Sequence, residues 1–140
     1  DLPPEEADAL QAELERQGLD QIFLLSPTTG DERLARICTK ASGFIYYVSL
    51  KGVTGSDRMN LADVAARIAH VRATTSLPVG VGFGIKDADT ARAVAAFSDA
   101  VIVGSALVER IEQLGPAPVD KLAQTVEEFL SPLRAAVTGT

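Results

Sequence analysis

The chain has 140 residues, enough for one hydrophobic core and too few for a second independent one. Hydrophobic residues make up 46% and charged residues 23%, a balance that supports burial and weighs against disorder. Thirteen Lys and Arg against nineteen Asp and Glu give a formal charge of −6, which argues against nucleic acid as the main partner.

No apolar run approaches the roughly 20 residues needed to cross a bilayer, and the start is acidic and carries proline, so neither a membrane span nor a signal peptide is expected. The cytoplasm is the default location. With Cys38 as the single cysteine and His70 as the single histidine, an internal disulfide and a Cys/His metal cluster are both ruled out. The first residue is Asp1 rather than Met, which leads us to expect a piece of something longer.

In chain order, Pro3-Pro4-Glu5-Glu6 reads as a helix start, Ala7, Leu10 and Leu14 as its apolar face and Gly18 as its stop. Four short apolar runs follow: Gln21-Ile22-Phe23-Leu24-Leu25, Phe44-Ile45-Tyr46-Tyr47-Val48, Pro78-Val79-Gly80-Val81-Gly82 and Ala100-Val101-Ile102-Val103. Each is continuous rather than alternating, the pattern of a strand buried on both faces. Between them lie stretches with helical spacing. Leu34, Ile37 and Cys38 mark the first; Leu61, Val64, Ala65 and Ile68 the second; Ala91, Val94 and Ala95 the third. Val119, Leu122, Ala123, Val126, Leu130 and Leu133 form a long final stripe.

One helix followed by four strand–helix pairs specifies a parallel sheet with crossover helices. Ile22, Phe44, Val79 and Val101 hold comparable strand positions at intervals of 22, 35 and 22 residues. The long interval places an insertion between Ser49 and Leu61, which reads either as a mobile, ligand-contacting lid at a strand's carboxyl end or as a tolerated surface insertion. The first strand runs into Ser26-Pro27-Thr28-Thr29-Gly30, which lacks a dinucleotide fingerprint. Glycines cluster instead after the last two strands, in Gly82-Phe83-Gly84-Ile85 and Gly104-Ser105-Ala106. Barrels build phosphate sites from the loops after their last two strands plus a short helix, so the barrel reading is preferred.

A helix opening at Gly104-Ser105 would present free backbone N–H groups and its dipole to an anion, with the Ser105 hydroxyl and the Gly84 N–H beside it. The same residues also read as an ordinary helix cap. Tyr46 and Tyr47 must point to opposite faces of one strand, and the inward one reads equally as a pocket wall or as core. No convincing acid–base pair appears. Asp57 lies in the insertion, Asp87 and Asp89 look like helix-start residues, and Asp31-Glu32-Arg33 like a solvated helix start. His70 reads as a surface or packing residue and Cys38 as a small core residue.

Several stretches together resemble the α subunit of tryptophan synthase. They are Asp1-Leu2-Pro3, Phe23-Leu24-Leu25-Ser26-Pro27-Thr28-Thr29, Gly43-Phe44-Ile45-Tyr46-Tyr47-Val48-Ser49, Gly52-Val53-Thr54-Gly55, Val81-Gly82-Phe83-Gly84-Ile85 and Val103-Gly104-Ser105-Ala106. The resemblance implies a (β/α)8 TIM barrel of which residues 1–140 are the later half, its four strands being the fifth to eighth and Asp1 following the fourth. It implies cleavage of indole-3-glycerol phosphate to indole and glyceraldehyde 3-phosphate, without metal or organic cofactor. The family's catalytic glutamate and aspartate come from early strands and loops, so neither position falls in this sequence, and the segment alone is expected to be inactive.

By the same resemblance the substrate phosphate rests on backbone groups of Gly55, Gly84 and Gly104 and on Ser105, while Tyr46, Phe83 and Val103 line the pocket. Thr54 resembles the loop threonine that bonds the catalytic aspartate when the loop closes, and Lys51 is assigned nothing. A pyridoxal-phosphate-dependent β subunit, in an α2β2 complex, is the implied partner. Other expectations are another phosphate-binding barrel enzyme, such as a sugar-phosphate isomerase, or a non-catalytic truncated or engineered half barrel. A half barrel would leave two open sheet edges and an uncovered inner face, so the chain alone is expected to dimerise, swap, aggregate or stay molten.

Overall fold

Acidic first turns and glycine stops set most of the helix boundaries. The computed structural model describes residues 2–48, 61–82 and 84–138. A 3-10 turn over Pro4–Glu6 leads into α1 (Asp8–Arg16). This helix closes in a Schellman motif: Gly18, at φ +67°, donates its N–H to the Glu15 carbonyl at 3.1 Å, and Leu19 donates to the Leu14 carbonyl at 2.9 Å. The remaining elements are β1 (Phe23–Leu25), α2 (Asp31–Lys40), β2 (Ile45–Val48), α3 (Leu61–Thr74), β3 (Val79–Gly82), α4 (Ala88–Ala95), β4 (Ala100–Ile102), α5 (Ser105–Leu114) and α6 (Val119–Thr138). Asp87 caps α4 as its position predicts, accepting the Thr90 N–H at 2.8 Å, and that bond holds its carboxyl below the usual range. No helix among the described residues is long and apolar enough to cross a membrane.

The strands form one parallel sheet in the order β1-β2-β3-β4. A doubly wound sheet reverses its strand progression at a switch point; a barrel wall advances one way, as here. Phe23, Ile45 and Val79 form one rung, Leu24, Tyr46, Gly80 and Ala100 the next, and Leu25, Tyr47, Val81 and Val101 the third. Side chains alternate across the sheet, so each rung commits to one face. Phe23, Leu25, Ile45, Tyr47, Val79 and Val81 point to the helices, and all are at most 3% exposed. There they pack with Leu34 and Ile37 of α2, Val64, Ile68 and Val71 of α3, Val94 of α4 and Leu133 of α6.

The continuous apolar runs predicted strands buried on both faces; β3 is buried at all four of its positions, whereas β1, β2 and β4 differ. On the face away from the helices Leu24 is 37% exposed, Ala100 is exposed, and Tyr46, Val48 and Ile102 are half-buried. Nothing among the described residues is layered over that face, so it keeps the composition of a buried surface without the cover.

Two predicted apolar helix faces are also corrected. In the first segment Ala7 is fully buried, but Leu10 is exposed and Leu14 half-buried, and α1 itself buries no residue. Polar contacts hold it instead: Gln11 Nε2 donates to the Lys40 carbonyl at 2.7 Å, while Lys40 Nζ donates to the Pro4 carbonyl at 2.6 Å and pairs with Asp8. In α6 the stripe is seated only in its later turns, where Leu133 and Ala136 are buried; Val119 is 77% exposed.

One long-range clamp fixes β3 against its neighbours. Asp99 Oδ2 accepts the Val79 N–H at 2.8 Å, its own N–H donates to the Val79 carbonyl at 2.9 Å, and Oδ1 pairs with Arg72 of α3 at 2.7 Å. The Arg72 guanidinium and the Val79 amide hold the Asp99 carboxyl below the usual carboxylate range. A depressed folded-state pKa makes the contribution complete above the unfolded value, and it is lost as pH falls through the folded one. Asp99→Ala strands the N–H of the fully buried Val79, a loss of about 1–3 kcal/mol. Urea unfolding at neutral pH is expected to show that loss, shrinking in step with the unmodified chain's stability below the carboxylate range. An Asp99→Ala variant as stable as the unmodified chain would show that the clamp holds nothing.

Candidate functional site at the carboxyl ends of the strands

The register of β3 and β4 decides which loops face each other. Gly82 pairs with Ile102, so Gly84 and Gly104, each two residues further along, leave the sheet side by side at its carboxyl end. Gly84 sits at φ +52°, a left-handed conformation that glycine adopts without a Cβ penalty. The next residue, Ile85, is 1% exposed and anchors the turn in the core. Gly104 is the N-cap of α5, at φ −124° and ψ −85°. A Cβ at Gly84 or Gly104 would meet no atom of the described residues within 4 Å.

Helix α5 presents an uncompensated positive end to this space. Its first return bonds run from Leu107 and Val108 to the Gly104 carbonyl, at 3.0 and 3.2 Å. The amides of Ser105 and Ala106 meet no acceptor among the described residues, and no side chain caps the helix. Asp8, Asp31, Asp63, Asp89 and Asp120 occupy the first turns of the other α-helices, whereas α5 has no acid there. The positive end of its dipole therefore has no acidic side chain in its first turn to offset it. Ser105 is exposed at the first helical position. Behind the opening, Arg110 stacks on Phe129 of α6 at 5.3 Å and steadies α5 from its outer side.

Tyr46 lies on the open face, opposite Gly80, and leans along its strand to the level of Gly82. A Cβ at Gly82 would lie 2.5 Å from the Tyr46 hydroxyl oxygen and 2.6 Å from its ring. A Cβ at Gly80 would lie 2.9 Å from Ile102 and 3.3 Å from the Phe44 ring. The two glycines of β3 thus form a trough occupied by the Tyr46 ring of β2 and the Phe44 ring just before it. Tyr47 takes the opposite face and is buried, as the alternation predicts. Sequence reasoning singled out the Gly82 and Gly104 clusters for phosphate and missed the trough; the alternation Val79-Gly80-Val81-Gly82 was its signal.

Among the other expected site residues, Val103 is half-buried and packs against the core cluster on the helix side. Thr54, Gly55 and Phe83 lie outside the described residues, as do Lys51 and Asp57. Cys38 is half-buried against the core, and burial pushes its thiol upward, away from a nucleophile's range. His70 is exposed on α3, 3.0 Å from Asp31; with Arg67 it holds the Asp31 carboxyl below its usual range. Among the described residues no three His, Cys, Asp or Glu side chains gather as a metal site. A cavity of about 520 Å³ lies apart from the glycine loops, along the free edge of β1 between Leu2, Leu10, Gln21, Leu24 and Val48. There Gln21 Oε1 is buried without a partner among the described residues.

A family model for the tryptophan synthase alpha chain matches residues 1–138. The chain belongs to the tryptophan synthase alpha chain family. Its sequence is 50% identical to the tryptophan synthase alpha chain of Nitrosococcus oceani over 140 residues, covering all of this chain and 51% of that one. The crystal structure of tryptophan synthase subunit alpha from Legionella pneumophila superposes with a TM-score of 0.83 at 39% identity, covering 100% of this chain and 50% of its own. Tryptophan synthase from M. tuberculosis, in an open form with BRD0059 bound, gives 0.79 at 31% identity over 98% of this chain and 48% of its own. The chain thus spans about half the length of the tryptophan synthase alpha chains it matches. Its parallel four-stranded sheet with flanking helices is part of that family's TIM barrel.

Proposed function

We infer that this chain is the phosphate-holding later half of an indole-3-glycerol-phosphate lyase, a carbon–carbon lyase of tryptophan biosynthesis. The observation that carries the reading is the pair of loops at Gly84 and Gly104, level at the ends of β3 and β4, with Ser105 opening a helix whose dipole no acid offsets. In the reaction an acid protonates the indole ring and a base takes the glycerol hydroxyl proton. The bond between ring and side chain then breaks, releasing indole and glyceraldehyde 3-phosphate. Carboxylates with separated pKa values suit those two transfers.

The chain's own part is to hold the substrate. The amides of Gly84, Gly104 and Ser105, the Ser105 hydroxyl and the Gly55 backbone take the phosphate; Tyr46 and Phe83 bound the pocket, and Val103 backs it from the core. Thr54 supports closure of the loop that excludes water. A pyridoxal-phosphate-dependent β subunit would receive the indole in an α2β2 complex, in the cytoplasm. The family's catalytic glutamate and aspartate have no counterpart in the motifs shared here, so the 140 residues alone bind substrate without turning it over.

Calorimetric titration with glycerol phosphate and with indolepropanol phosphate tests this. Saturable binding of both is expected, with no indole released from indole-3-glycerol phosphate. Gly104→Pro removes an amide from the cradle and forces φ away from −124°, so at least tenfold weaker binding is expected. Equal affinity in this variant, or no phosphate dependence in the unmodified chain, would overturn the assignment.

A further inference from the structure

We propose that Arg110, stacked on Phe129, is a positioning residue for the phosphate cradle, aiming the first amides of α5 from the helix's outer side. This rests on the phosphate reading of Gly84, Gly104 and Ser105. Glycines bound α5 at both ends, Gly104 before it and Gly115, at φ +64°, after it. Neither end brings a side chain that would fix the direction of the helix. Ala106 is the one residue of α5 that is buried among the described residues. A single seated residue is a pivot, and a rod on a pivot needs a second fixed point. Arg110 lies one turn further along, on the same face as Ala106. Its guanidinium stands 5.3 Å from the centre of the Phe129 ring, within cation–π range.

The ring is a firm anchor. Phe129 packs on the core cluster, one turn of α6 before the buried Leu133. Among the described residues Arg110 has no carboxylate partner, so the ring is what holds it. Close packing does not take over beside the stack. A cavity of about 300 Å³ lies there, lined by Lys86, Asp87, Arg110, Thr125, Phe129 and Leu133. Amide hydrogen bonds weaken steeply with angle, so a tilt of α5 would reach the phosphate as lost affinity. That loss can be no larger than the stack is worth, about two- to fivefold at an exposed site.

Calorimetric titration of the variants with glycerol phosphate tests this. Phe129→Leu keeps every charge and Arg110→Met keeps an apolar stem; each is expected to weaken binding about two- to fivefold. The double variant is expected to bind no more weakly than Arg110→Met alone, and Arg110→Lys, which keeps a cation over the ring, to regain most of the affinity. Indole-3-propanol, which lacks the phosphate, is expected to bind all of them alike, a split that general loosening of the fold would not give. Residual dipolar couplings of the ligand-free protein are expected to show the α5 amides turned relative to α6 in Phe129→Leu. Unchanged phosphate affinity in Phe129→Leu would reduce Arg110 to a distant charge and overturn the proposal, as would losses that add in the double variant. If the unmodified protein binds no phosphate, the reading of the site falls on its own account. The couplings then decide whether the stack aims α5, and amides unmoved in Phe129→Leu would overturn that too.

Discussion

Replacing Gly84 with aspartate weakens binding of glycerol phosphate by about a hundredfold, the cost of a unit charge some 6 Å from a phosphate at an effective dielectric near 20. The site permits this clean a test because a Cβ at Gly84 meets nothing among the described residues within 4 Å. The substitution therefore adds charge without collision, though φ +52° adds a backbone penalty. Gly84→Asn separates the two effects, since asparagine adopts left-handed conformations at small cost and carries no charge. Its affinity is expected to fall a few-fold only. Equal losses for the two variants would mean that backbone shape, not charge, controls the site.

Gly82→Ala is expected to destabilise the fold by about 1–3 kcal/mol, the usual range for overpacking a filled site. The added methyl would lie 2.5 Å from the Tyr46 hydroxyl oxygen and 2.6 Å from the ring, so the tyrosine must leave its trough. In a Tyr46→Ala background the obstruction is gone, and Gly82→Ala becomes neutral or mildly stabilising, because glycine inside a strand costs chain entropy. A double-mutant cycle by urea unfolding reads this coupling directly. If Gly82→Ala costs the same in both backgrounds, the ring does not rest on the glycine in solution. Indolepropanol phosphate should also bind less tightly to Gly82→Ala, whereas glycerol phosphate, which lacks the aromatic part, should be nearly indifferent.

Sequence logic reached far in this chain where one local rule governs. The four apolar runs became four strands because nothing else of that length and composition competes, and parity alone sent Tyr46 and Tyr47 to opposite faces. Asp87 and Gly18 were readable as cap and stop because their bonds stay within one helix end. Long-range partners were not readable. The Asp99 clamp joins Val79 and Arg72 across 20 and 27 residues, and no spacing rule announces it. The exposed Leu10 and Val119 show the converse limit: helical spacing marks a face that could be buried, while burial depends on what is packed there.

The cradle was legible for a related reason. Glycine after a parallel strand, followed by serine and a helical stripe, carries its geometry locally, and register then brings the two loops level. The trough in β3 was less visible because it is defined by side chains arriving from β2 and β4. The family match agrees with the barrel topology that positions both features.

Amide chemical shifts recorded by NMR during titration with glycerol phosphate, with unphosphorylated glycerol as the blank, test the central claim most directly. The signals of Gly84, Gly104, Ser105 and Ala106 are expected to move together and saturate, and the blank to leave them in place. Saturating shifts centred instead on cationic side chains such as Lys86 and Arg110, with those four amides unmoved, would contradict phosphate capture by the main chain.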